Sequence, residues 1–108
     1  MPVISSFLSV GANAVSANVL AGEMFEFLPR TTVVAIYATT SATGLRMTYS
    51  LGGEIQCDDI GISEQNRVPV IPDDLALKVG GRQGERQVLK FRNSTAGALT
   101  ARWLLQIA

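Results

Sequence analysis

The last strand-length stretch of this chain constrains its fold more than any other. Leu99, Ala101, Trp103, Leu105 and Ile107 alternate with Thr100, Arg102, Leu104 and Gln106. Successive side chains of an extended strand point to opposite faces, so a period of two sets Trp103 and its companions on one face of a sheet. Leu45, Met47, Tyr49 and Leu51 repeat the pattern against Arg46, Thr48 and Ser50. No segment offers a helical stripe of comparable quality. The chain reads as all-β, with Leu45, Met47, Tyr49, Leu89, Phe91, Trp103 and Leu105 in a shared core.

The other segments fill in around these two. Residues 32–40 hold Val33, Val34, Ile36 and Tyr37, branched and aromatic side chains suited to a pleated surface, and are apolar on both faces as in a central strand. Gly52-Gly53 supplies the positive φ that a two-residue hairpin needs. Residues 54–57 then lead back with Ile55 and Cys57 inward, and Asp58-Asp59 ends that strand. Residues 75–79, opened by a turn at Asp73-Asp74, and 86–92 are further strands. Gly80 to Gly84 reads as a loop, residues 60–66 as another, and residues 93–97 as a hairpin loop. Residues 3–10, 15–20 and 24–28 give weaker strand signals. Residues 68–71, enclosed by Pro69 and Pro72, fit an edge strand or extended segment. Eight to ten short strands with turns every eight to twelve residues predict a single antiparallel β-sandwich with jelly-roll or Greek-key wiring and an extended N-terminal arm.

One domain is expected from 108 residues. Residues 1–22 carry no charged side chain and read as an arm or first strands; residues 23–108 read as the sandwich proper. Charged residues make up 17% of the chain, against about 25% in average globular proteins. So few charges suit a surface partly covered by a partner, and a solvent face rich in Ser, Thr, Asn and Gln explains part of the deficit too. Nine basic and nine acidic side chains cancel, which argues against a protein built to neutralise nucleic-acid phosphates. No apolar run reaches the roughly 18 residues of a membrane span. Ala12-Asn13-Ala14 imitates a signal cleavage site, but the first basic residue is Arg30, so no secretory signal is expected.

The chemistry open to the chain is narrow. It has no histidine and one cysteine, which removes Ser-His-Asp and Cys-His arrangements and most zinc sites. Cys57 reads as a small core residue. Asp58-Asp59 and Asp73-Asp74 suit turns, where Asp bonds its own backbone, better than a calcium site or a catalytic pair. Trp103 reads as core rather than as a platform for a sugar ring. Asn93-Ser94-Thr95 matches a glycosylation sequon. Neither an enzyme nor a cofactor is expected. The charges are segregated along the chain: from Glu54 to Asp74 six acids face only Arg67, and from Lys78 onward six basic residues face only Glu85. Complementary patches suit self-association, or they neighbour each other within one chain. The candidate subunit interface is Asp58, Asp59, Asp73 and Asp74 against Arg86, Lys90, Arg92 and Arg102.

Several stretches resemble a group of small structural proteins of bacteriophage particles. They are Asn18-Val19-Leu20-Ala21-Gly22-Glu23 running into Phe25-Glu26-Phe27-Leu28-Pro29, Gly52-Gly53-Glu54 with Asp58-Asp59, the run from Asn66 to Asp74, and Phe91-Arg92-Asn93-Ser94-Thr95-Ala96-Gly97. The resemblance implies a non-enzymatic virion component, assembled in the host cytoplasm. Its expected role is capsid decoration or cement, binding a major capsid protein and copies of itself. A coat or tail subunit proper and a carbohydrate-binding sandwich module are the alternatives. It implies no small-molecule substrate.

Overall fold

The alternating segments pair into two antiparallel sheets in the computed structural model, which describes residues 3–22, 26–62, 64, 68–69 and 74–107. Seven strands are present among these residues: β1 (Val3–Val10), β2 (Thr32–Thr40), β3 (Leu45–Leu51), β4 (Glu54–Gly61), β5 (Leu75–Gly81), β6 (Gln87–Asn93) and β7 (Leu99–Ile107). One sheet has the order β1-β7-β2-β5 and the other β4-β3-β6. The protein is an all-β sandwich.

Its core is the set that the period-two pattern selects. Leu45, Met47, Tyr49, Leu51, Leu89, Phe91, Ala101, Trp103, Leu105 and Ile107 are buried between the sheets, with Val34, Ile36 and Ala38 of β2. Tyr49 takes its hydroxyl into this core because Gln87, also buried, accepts its proton through Oε1 at 2.7 Å. A buried hydroxyl left unbonded would cost about 1–3 kcal/mol. Burial pushes the Tyr49 phenol well above its ordinary pKa.

Residues 14–28 explain how β1 reaches β2 and why their strand signal is weak. Of these, residues 14–19 and 26–27 run along the outer edge of β6 without forming a regular ladder; among the described residues of the segment only Val15 and Phe27 make isolated bridges, to Arg92 and Arg86. The Ser16 and Val19 amides donate to the Phe91 and Leu89 carbonyls, and the Asn93 and Gln87 amides donate to Ala14 and Glu26. Between them, side chains replace backbone: the Phe91 amide donates to Ser16 Oγ and the Leu89 amide to Asn18 Oδ1, each at 2.9 Å. Polar residues that dilute an apolar alternation thus satisfy the β6 edge. With this segment in the eighth strand position, the chain follows jelly-roll wiring. Residues 24–25 lie outside the described residues.

The structure revises other boundaries. β6 and β7 belong to different sheets, so residues 93–97 cross between sheets and do not form a hairpin. The corner is held by Asn93, which is fully buried. Its Nδ2 donates to the Val10 and Gly97 carbonyls at 3.0 and 2.7 Å, and its Oδ1 accepts from the Thr95 amide and hydroxyl at 2.8 and 2.7 Å. Every hydrogen-bonding position of the amide is used, which also closes the sequon to glycosylation in the folded chain. Gly80 and Gly81 extend β5, where an added Cβ on Gly81 would lie 2.4 Å from Leu28 Cδ1 and 2.8 Å from Leu51 Cδ2. Gly52 and Gly53 do form the β3–β4 hairpin, with φ of 62° and 85°. The stretch read as arm or first strands is built into the sandwich: β1 pairs with β7 from Val3 opposite Gln106 to Val10 opposite Leu99.

Candidate functional site on the outer face of the three-stranded sheet

β4 continues past Asp58-Asp59 to Gly61, and two bulges decide what it presents. Met47 pairs with Ile60 and Tyr49 with Cys57, so both aspartates oppose the single residue Thr48. Tyr49 pairs with Cys57 but Ser50 with Ile55, which leaves Gln56 as a second extra residue. An extra residue reverses the alternation on its strand. Cys57 therefore packs on the core, while Ile55, expected inward, points outward and is exposed. Burial raises the Cys57 thiol above its usual pKa.

At the first bulge Asp59 takes a φ of 56°, a left-handed conformation that Asp tolerates better than most side chains. Its amide donates to Thr48 Oγ1 at 3.1 Å and its carbonyl accepts from Arg46 Nη1 at 2.9 Å. The carboxylate accepts two bonds from Arg92, Nε to Oδ1 at 2.8 Å and Nη2 to Oδ2 at 2.7 Å. Arg46 and Arg92 are directly opposed on β3 and β6, a repulsive placement by itself. Asp59 offers its carbonyl to one guanidinium and its carboxylate to the other. The Arg92 bonds hold the Asp59 carboxyl below its usual pKa, and Asp59 in turn raises that of Arg92.

Thr48, Asp58, Asp59, Lys90, Phe91 and Arg92 line a shallow depression here, with Val15 at its rim. Four of the eight charged residues singled out from sequence, Asp58, Asp59, Lys90 and Arg92, thus meet on one face of one chain. The others are dispersed. Arg86 bonds Glu26 through Nε at 2.7 Å. Glu26 also accepts from the Gly22 amide, and these two bonds, that from Gly22 foremost, lower its pKa. Asp74 is buried at the entry to β5, where its carbonyl accepts from the Ala38 amide. Arg102 lies on the outer face of the other sheet, opposite Phe7 and Thr39. Asp73 lies outside the described residues. Sequence reasoning missed Arg46, Thr48 and Glu26, because their roles depend on the bulge and on how residues 14–19 and 26–27 lie along β6.

The arrangement is a paired, solvent-facing charge cluster. It lacks a carboxylate pair free to exchange a proton with a substrate, since Arg92 holds both oxygens of Asp59. Among the described residues no three His, Cys, Asp or Glu side chains are placed to share a metal ion. Trp103 is 2% exposed and offers no ring to a ligand. The outer face of the four-stranded sheet differs in character. Ala35, Tyr37 and Leu104 form a second buried apolar cluster there, and Tyr37 donates through its hydroxyl to Gln106 Oε1 at 3.1 Å. Val3, Phe7, Val33 and Leu75 surround it with exposed apolar side chains.

No protein-family model matches this chain. No curated protein matches it either. Among solved structures, it is similar to a carbohydrate-binding module of the CBM36 type in complex with calcium and xylotriose, at 10% identity and a TM-score of 0.46, over 97% of this chain and 88% of that one. Calcium and xylotriose are ligands of that protein.

Proposed function

We propose that the protein is a non-enzymatic structural subunit of a bacteriophage particle, decorating or cementing a shell. The observation that carries this reading is the uneven finish of its two outer faces. The three-stranded sheet is finished for water, with Arg46, Lys90 and Arg92 set among Asp58 and Asp59. The four-stranded sheet is finished for contact: its described outer positions carry only Lys78 and Arg102 as charges, and Val3, Phe7, Val33 and Leu75 stand exposed there. A small sandwich with one sparsely charged and one densely charged face suits a subunit laid on a larger surface. The resemblance to small phage structural proteins supports the same reading, with a major capsid protein as the surface.

The test is mass spectrometry of gradient-purified phage particles from a culture producing this chain. A stoichiometric, multi-copy component is the expected result. Particles without it would overturn the proposal. Retention of the chain on a glycan array, together with its absence from particles, would move the assignment to the carbohydrate-binding alternative.

A further inference from the structure

We propose that β1 is a self-pairing edge: two copies of the chain join β1 to β1, antiparallel, about a two-fold axis at Phe7. This inference does not depend on the phage reading.

A strand at a sheet edge presents unpaired amides and carbonyls, and proteins that stay single defend such edges with charge, proline, bulges or a covering segment. The sandwich has four edges, and three are defended. β6 is covered by residues 14–19 and 26–27. β4 is bulged twice and carries Glu54, Asp58 and Asp59. β5 carries Lys78, ends in Gly80-Gly81 and slips register beside Ile36 and Tyr37. β1 has none of these devices. Its eight residues, Val-Ile-Ser-Ser-Phe-Leu-Ser-Val, hold no charge, proline or glycine and pair with β7 without a register break. No described segment pairs with its other side, and Phe7 is 73% exposed.

A second copy is the occupant that this edge fits. An uncharged strand meets itself without like-charge repulsion. Two antiparallel strands in one continuous sheet must match faces, so the residue numbers opposite one another must sum to an even value. An axis at Phe7 gives that parity. It sets Ile4 opposite the partner's Val10, Ser5 opposite the partner's Ser9 and Ser6 opposite the partner's Leu8. Phe7 then lies against the partner's Phe7, an aromatic cross-strand pair that covers the most exposed large apolar side chain among the described residues. An axis one residue earlier would set each ring against a serine. Beside the edge, the inner side is open as well: Leu8, Val10, Ala14 and Val19 line a groove between β1 and residues 14–19. The partner's inward side chains would extend over it. The product is a continuous eight-stranded sheet. A contact one strand long lies at the small end of specific interfaces, below about 1,200 Å², so the pairing is a reversible one.

Sedimentation velocity across the micromolar to millimolar range should show a concentration-dependent dimer. Phe7→Glu places two carboxylates face to face across the axis while Arg102 lies opposite within its own chain, so the variant should fold and associate at least about tenfold more weakly. Circular dichroism checks the fold, and Ser5→Lys provides a second charged edge should Phe7→Glu unfold. In a Cys57→Ala background, Phe7→Cys should oxidise readily to a disulfide-linked dimer, and Ser6→Cys should not. Three results would each overturn the proposal. One is a wild-type chain that stays monomeric throughout. Another is association unchanged in both charged variants. The third is cross-linking at Ser6→Cys in place of Phe7→Cys.

Discussion

Single side chains decide how the two sheets are joined, and Asn93 decides most. Its amide bonds the end of β1, the Gly97 carbonyl and Thr95 at once. Asn93→Ala would leave the buried Val10 carbonyl without that donor, and each orphaned buried group costs about 1–3 kcal/mol. We expect a loss of at least about 2 kcal/mol in urea denaturation, and a larger one for Asn93→Asp, which buries a charge where two donors stood. Asp59 acts at the surface and through pH. Its folded pKa lies below the unfolded value of about 3.9, so its contribution is present above that range and lost as pH falls through the depressed value. Asp59→Asn should therefore flatten the acid limb of a plot of thermal midpoint against pH. Asparagine tolerates the left-handed backbone at this position, so a loss of the same size at neutral and acid pH would count against the Arg92 pairing as cause.

At the scale of elements, the β3–β4 hairpin isolates a backbone effect. Nothing lies within 4 Å of a Cβ added to Gly53, whose φ is 85°. Gly53→Ala therefore costs only conformational strain, about 1–2 kcal/mol, and Gly53→Asn should cost less; thermal denaturation of the pair measures the difference. β1 makes the opposite case. Although an uncharged N-terminal stretch suits an arm, Val10 is buried, Ile4 and Leu8 pack on the core, and β1 pairs with β7 from Leu99 to Gln106. Deleting residues 1–10 should abolish cooperative unfolding rather than leave a folded domain with weakened assembly. A truncated chain that still unfolds cooperatively would show that β1 serves only partners.

For the whole molecule, the distribution of charge sets the response to salt. The acidic and basic halves of the sequence already meet within one chain, at Asp59 with Arg92. Association through the uncharged β1 edge should then be indifferent to ionic strength. Association through exposed charge patches would weaken from low to molar salt, as the screening length falls from about 30 to 3 Å. Dimer formation measured across that range separates the two. The all-β class, the central place of β2, the β3–β4 hairpin and the core around Trp103 were legible in the sequence, because alternation and paired glycines are local signals that a strand's geometry imposes directly. The sheet to which each strand belongs was not legible. Residues 93–97 read as a hairpin because a loop's composition does not encode whether its flanking strands pair. Ile55 was assigned to the wrong face because a bulge leaves no residue-type mark on the strand that contains it. The partner of each charge depended on both of these. Local chemistry fixed the strands and their buried faces, and only the closing of one sheet over the other fixed which edges were covered and which charges met.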